Sequence, residues 1–198
     1  MNDFYTNAVP IITALTGLLG VILGFVGVIL TFSVSKRTLK MQALEEERKS
    51  IYEKINTFYG PFQQLQGVNR ELYKVFRARR GEDFRTLRAL LQGEKFEGND
   101  KILLDNIIDN SERLEKLIID KSGLIDSEEL RKLLWTAATH FRLIQLASQG
   151  VLIGEIERFE PYIFPRTLDD TVDEEIRKLK RRLEEIKGYP TTDLDAGK

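Results

Sequence analysis

Residues 126–149 read DSEELRKLLWTAATHFRLIQLASQ, and their spacing decides the fold class. Leu130, Leu134, Ala137, Phe141 and Ile144 recur every three or four positions, the period of one helix face. The opening Asp126-Ser-Glu-Glu129 has the form of a capping box, in which a short polar side chain and a carboxylate three residues on satisfy free N–H groups. The spacing predicts a helix from there to about Gln149.

The pattern repeats on both sides. Downstream, Thr171-Val-Asp-Glu174 reads as a second capping box. Val172, Ile176, Leu179, Leu183 and Ile186 follow, with Gly188 and Pro190 as stop signals. Upstream, residues 100–121 place Leu103, Ile107, Leu114 and Leu117 on one face, with Asn99 or Asp100 as cap and Gly123 beyond the end. A short helix is expected over Glu82–Leu91, stopping at Gln92-Gly93. Residues 150–168, GVLIGEIERFEPYIFPRTL, are apolar without a sustained period and read as a partly buried crossover. No long alternating run occurs, so the expected class is an all-α bundle.

Towards the N-terminus, Leu44, Ile51, Ile55, Phe58, Phe62, Leu65, Leu72 and Phe76 keep the same spacing, with Arg48 and Asn69 at the two gaps. Gly60-Pro61 interrupts the row, and a proline cannot donate to the helix ladder, so a break or kink is expected there. Residues 35–59 contain neither Gly nor Pro and read as a stalk helix, in a coiled coil or packed into the bundle. At 1.5 Å per residue it would carry the chain about 35–40 Å. The Glu-Glu-Glu-Arg-Lys run within it reads as a solvated face.

The stretch Ile11–Phe32, IITALTGLLGVILGFVGVILTF, has 22 residues and no charge. About 20 residues of helix cross a hydrocarbon core. A cleaved signal peptide would need a basic start and a shorter run, and MNDFYTN has no Lys or Arg. Lys36, Arg37 and Lys40 follow the run, so the positive-inside rule places the N-terminus outside. Thr13, Gly17, Gly20, Gly24, Gly27 and Thr31 form a heptad-like stripe of small residues, a surface on which two membrane helices can pack closely.

The expected organisation is a short extracytoplasmic N-terminus (1–10), a transmembrane helix (11–33), a juxtamembrane stalk (34–59), a cytoplasmic helical bundle (60–188) and a tail (189–198). The location implied is the cell (inner) membrane, crossed once.

Composition narrows the chemistry. With 42% hydrophobic and 31% charged residues the chain is not of disordered type. The net charge of −1 hides an asymmetry: residues 36–80 carry 11 Lys/Arg against 5 Asp/Glu, whereas 81–198 carry 19 against 25. The basic half follows the apolar run, which favours anionic lipid over nucleic acid as partner. Cysteine is absent, which excludes a disulfide scaffold and a thiolate zinc site. His140 is the one histidine and is expected to be structural. Motifs for a zinc protease, a phosphate loop or an EF-hand do not occur, so no metal, cofactor or catalytic set is expected.

Three further features are read as structural. Asp169, Asp170, Asp173, Glu174 and Glu175 would complement a helix dipole. Arg77-Ala-Arg-Arg80 would end a helix or meet lipid headgroups. Trp135 lies off the main stripe of its helix and would sit in a second layer of core or face a partner.

The expected function is a membrane-anchored, non-enzymatic interaction or scaffold module. It would self-associate through its glycine face or pair there with another membrane protein. The alternatives are an oligomerising membrane effector of toxin or defence type and a membrane-tethered enzyme with an unrecognised site.

Overall fold

A computed structural model describes residues 3–81 and 83–188. Among them every regular element is helical and no strand occurs, as the apolar periodicity predicts. The helices are α1 (Asp3–Lys54), α2 (Gly60–Arg77), α3 (Thr86–Leu91), α4 (Gly98–Asp120), α5 (Glu128–Ser148), the single-turn α6 (Ile156–Phe159) and α7 (Leu168–Lys187). Contacts divide the chain into two compact units that meet in sequence between Arg48 and Lys49. In the first, residues 3–48 are helical, and Phe25, Val28, Phe32, Val34 and Leu39 are exposed. Among the described residues no helix is long and apolar enough to cross a membrane. The span expected over 11–33 has most of its side chains outside them.

The second unit, Lys49–Gly188, contains the Gly60-Pro61 step at which a break or kink is expected. The chain does not break at Gly60-Pro61. A π-turn over Ile55–Tyr59 joins α1 to α2, and Gly60 keeps helical angles (φ −63°, ψ −55°). Pro61 lacks an N–H, and in an α-helix its ring would collide with the carbonyl four residues back. The wider turn lets the Gly60 N–H reach the Ile55 carbonyl, five residues back, before the proline enters. A β-carbon on Gly60 would lie 3.0 Å from that oxygen, so glycine is what permits the approach.

The bundle core has two apolar clusters. One joins Phe58 and Phe62 to Leu114 on α4, Leu134 and Phe141 on α5, and Val172 on α7. The other joins Phe76 to Leu87 and Leu91 on α3, Ile107 on α4 and Ile144 on α5. Cluster membership runs forward along α2 and α5 and backward along α4, so α4 is antiparallel to both. Between the clusters lie four buried polar residues: Gln66 and Asn69 on α2, Asn110 and Ser111 on α4. The core is apolar at both ends and polar across the middle.

Element boundaries follow side chains that tertiary contacts claim. α5 is capped by Ser127, whose Oγ accepts from the Leu130 N–H at 3.2 Å, one residue later than the capping box places it. Leu130, Leu134, Ala137, Phe141 and Ile144 are all buried, as read from the spacing. α7 starts at Leu168, ahead of Thr171, because Leu168 is fully buried in the core. The Thr171 hydroxyl donates within the helix to the Thr167 carbonyl instead of capping it. On α4 the buried stripe is Leu104, Ile107, Ser111, Leu114 and Ile118, while Leu103 and Leu117 are half-buried. Asp100 does not cap α4; it pairs with Arg80 at 2.9 Å. Residues 150–168 do form a partly buried crossover, carrying α6 and a 3-10 turn over Glu160–Tyr162.

Leu134 and Trp135 give a direct check on this packing. Leu134 is 0% exposed, and Leu134→Ala is expected to cost about 2–5 kcal/mol. Trp135 is 57% exposed, and Trp135→Ala should change stability by no more than about 0.5 kcal/mol. Denaturant unfolding of the full chain in mild detergent measures both, and similar losses at the two positions would contradict this packing.

Candidate functional site

The polar middle of the bundle opens into a cleft of about 650 Å³. One face of α2 supplies Gln66, Asn69, Arg70, Tyr73 and Arg77, which share a helical face by their spacing. Ile107 and Ser111 come from α4, and His140, Phe141 and Ile144 from α5. The start of α3 adds Thr86 and Leu87, and the end of the crossover adds Ile163, Phe164 and Arg166. The size is that of a small-molecule site, where roughly 300–1,000 Å³ is usual.

Charge in the cleft is mostly positive. Its lining includes Arg70, Arg77, Arg85 and Arg166 against Asp83 and Asp169. Arg70 pairs with Asp169 at 3.0 Å, and Arg85 donates to the Phe84 carbonyl at 2.8 Å. The Tyr73 hydroxyl donates to the same carbonyl at 3.1 Å, tying the loop to α2. The Arg77 guanidinium rests over the Tyr73 ring at 5.9 Å. Neither Arg77 nor Arg166 makes a side-chain hydrogen bond or ion pair with a described residue.

Several buried polar atoms here lack partners. Ser111 Oγ donates its one hydrogen to the Ile107 carbonyl at 2.7 Å and so can only accept from Asn69 Nδ2, at a long 3.4 Å. That fixes the amide orientation of Asn69 and leaves its Oδ1 without a donor. Gln66 Oε1 and Thr86 Oγ1 are also unpartnered among the described residues. Leaving such a group unmet costs about 1–3 kcal/mol. The neighbouring Glu115 shows the contrast: it is buried but satisfied, by Arg142 at 2.8 Å and by Gln145 at 3.1 Å.

His140 is half-buried, edge-on to Phe164 at 5.9 Å. Its Nδ1 lies 2.9 Å from the Tyr162 carbonyl, which can only accept, so Nδ1 carries the hydrogen and donates it. Burial pushes the imidazole pKa down to about 4, with the Tyr162 carbonyl pulling the other way. The ring is neutral at physiological pH.

The sequence-predicted residues distribute as follows. Arg80 is structural: it sits over the rings of Phe76, Phe84 and Phe96 at 4.3–5.0 Å and donates to the Phe76 carbonyl near the end of α2. Arg77, from the same group, lines the cleft. The acidic cluster is dispersed into separate pairs, Asp169 with Arg70, Asp173 with Gln63, and Glu174 and Glu175 with Lys178. Trp135 is not in the core; it is one residue past buried Leu134, which turns it about 100° off the buried stripe. Of the glycine stripe, Gly24 and Thr31 are described and exposed, whereas Thr13, Gly17, Gly20 and Gly27 have side positions outside the described residues. Lys36, Arg37 and Lys40 are exposed. Sequence reasoning missed Gln66, Arg70, Thr86 and Arg166. Its one signal was Asn69, a polar residue at an apolar position of the α2 row.

Comparison with family models, with curated proteins and with solved structures finds no match to this chain.

The depressed pKa of His140 has a consequence for stability. Between about pH 4 and 6.5 the unfolded chain binds a proton that the folded chain refuses. The contribution of the neutral ring is therefore complete above about pH 6.5 and is lost as pH falls towards 4. His140→Asn keeps a donor for Tyr162 without titrating. Thermal melts of the full chain should show a smaller loss on acidification for this variant than for wild type, and equal losses would assign the acid sensitivity elsewhere.

Proposed function

We propose that the chain is a single-pass membrane protein whose helical bundle acts as a non-enzymatic interaction module on the cytoplasmic side. The observation that supports this reading is the surface of α1. Phe25, Val28, Phe32 and Val34 are 64–68% exposed on it. They lie in or beside the uncharged run 11–32, and large apolar side chains on a helix surface call for lipid or a partner. Lys36, Arg37 and Lys40 follow on the same helix, and their charge favours the cytoplasmic side. The span of this proposal is 11–33, with a stalk over 34–59. Its small-residue stripe offers a face for a second copy or another membrane protein.

Binding, not catalysis, suits the groups in the cleft. Its cations are arginines, whose planar forks suit the holding of an anion. Its histidine is held neutral, with Nδ1–H committed to a carbonyl.

The chain contains no cysteine, so a single introduced one is a unique label. Asn2→Cys should react with a membrane-impermeant maleimide in intact cells, and Ser35→Cys only after lysis. Wild type should stay in the membrane pellet after alkaline carbonate extraction. Release by carbonate would remove the span from the proposal, and the reverse labelling pattern would invert its orientation.

A further inference from the structure

The unmet groups of the cleft specify a ligand independently of how the chain meets a membrane. Gln66 and Asn69 are each 9% exposed and Thr86 is 5% exposed, so water reaches them poorly. Gln66 Oε1 and Asn69 Oδ1 are acceptors in need of N–H or O–H donors, and Thr86 Oγ1 can take either role. Arg77 and Arg166 are cations without a counter-charge among the described residues. A guanidinium presents a planar fork that fits two oxygens of a phosphate. Between these groups the lining is apolar and aromatic, with Leu87, Phe141, Ile144 and Phe164.

We propose that this cleft binds a nucleotide. A nucleobase brings N–H donors for Gln66 and Asn69 together with a flat face for the aromatic lining. Its phosphate brings a counter-charge to Arg77 and Arg166. Simpler anions meet only part of this demand. A fatty acid has no donors and would leave the amide oxygens unmet. Inorganic phosphate would occupy the arginines and leave the apolar part of a 650 Å³ cleft empty. Arg70 is held by Asp169, and that pair carries no net charge to the ligand.

The test is calorimetric titration of the full chain in detergent with adenosine 5′-monophosphate and guanosine 5′-monophosphate, and with the two nucleosides and inorganic phosphate as separate arms. At least one nucleotide should bind saturably. Its nucleoside and free phosphate should each bind roughly tenfold more weakly or worse, the loss expected when a charge-assisted pair or the base contacts are removed. Arg77→Gln with Arg166→Gln should weaken the nucleotide by a similar factor. The melting temperature should hold, because neither side chain makes a hydrogen bond or ion pair with a described residue. Asn69→Leu should weaken nucleotide and nucleoside alike. The proposal is overturned if neither nucleotide binds, if nucleoside or phosphate binds as tightly, or if the double glutamine variant binds like wild type.

Discussion

The side-chain exchange between Ser111 and Asn69 sets the character of this bundle. Ser111 spends its only hydroxyl hydrogen on the Ile107 carbonyl, so it can offer Asn69 an acceptor and nothing more. Asn69 is left with a bare oxygen beside that of Gln66, in the layer where α2 faces α4. The fold tolerates this because its apolar ends are large. Each fully buried Leu or Phe contributes about 1.5–3 kcal/mol. Phe58, Phe62, Leu114, Leu130 and Leu134 anchor one end, and Phe76, Leu87 and Leu91 the other. The three unmet oxygens cost about 1–3 kcal/mol each, which those clusters outweigh. A layer that the fold can carry but does not need is where a binding function can reside.

The π-turn at Ile55–Tyr59 is the second constraint, and it positions α2. Proline inside a helix normally ends or kinks it. Here one wide turn absorbs the missing donor, and Gly60 supplies the room. The turn also brings adjacent Phe58 and Tyr59 inward together, both under 3% exposed, where they pack at 5.0 Å edge to face. Burial, and the nearby carboxylates of Glu175 and Asp126, push the Tyr59 hydroxyl up to about 12. The chain thus enters α2 already locked to α7 and α5 through the first cluster, and the polar row from Gln66 to Arg77 follows from that anchorage.

What the sequence made legible depended on how unambiguous each apolar row was. On α5 the row that follows from the capping box includes Leu130, Leu134, Ala137, Phe141 and Ile144, and every one of these is buried although Leu133, Ala138 and Leu143 adjoin it. On α4 the pairs Leu103–Leu104, Ile107–Ile108 and Leu117–Ile118 allow two registers one residue apart. The buried Glu115, held by Arg142 and Gln145 from α5, accompanies the register that no local pattern reveals. The core reading of Trp135 fails, because the average burial of tryptophan says nothing about which face a given one occupies. The role of Arg80 at the end of α2 was visible in part, but its cage of Phe84 and Phe96 comes from loops beyond the helix. The cleft was the least legible feature. Its residues range from Gln66 to Asp169 and meet only after α2, α4, α5 and the crossover have packed.

If the polar layer serves binding and not the stability of the bundle, the unfolding free energy of Gln66→Leu combined with Asn69→Leu reveals it. Leucine is close to both residues in size and brings no polar atom to satisfy. The double variant should be at least as stable as wild type in denaturant unfolding of the full chain. A loss of about 2 kcal/mol or more would contradict this reading, showing that the buried amides hold the fold together.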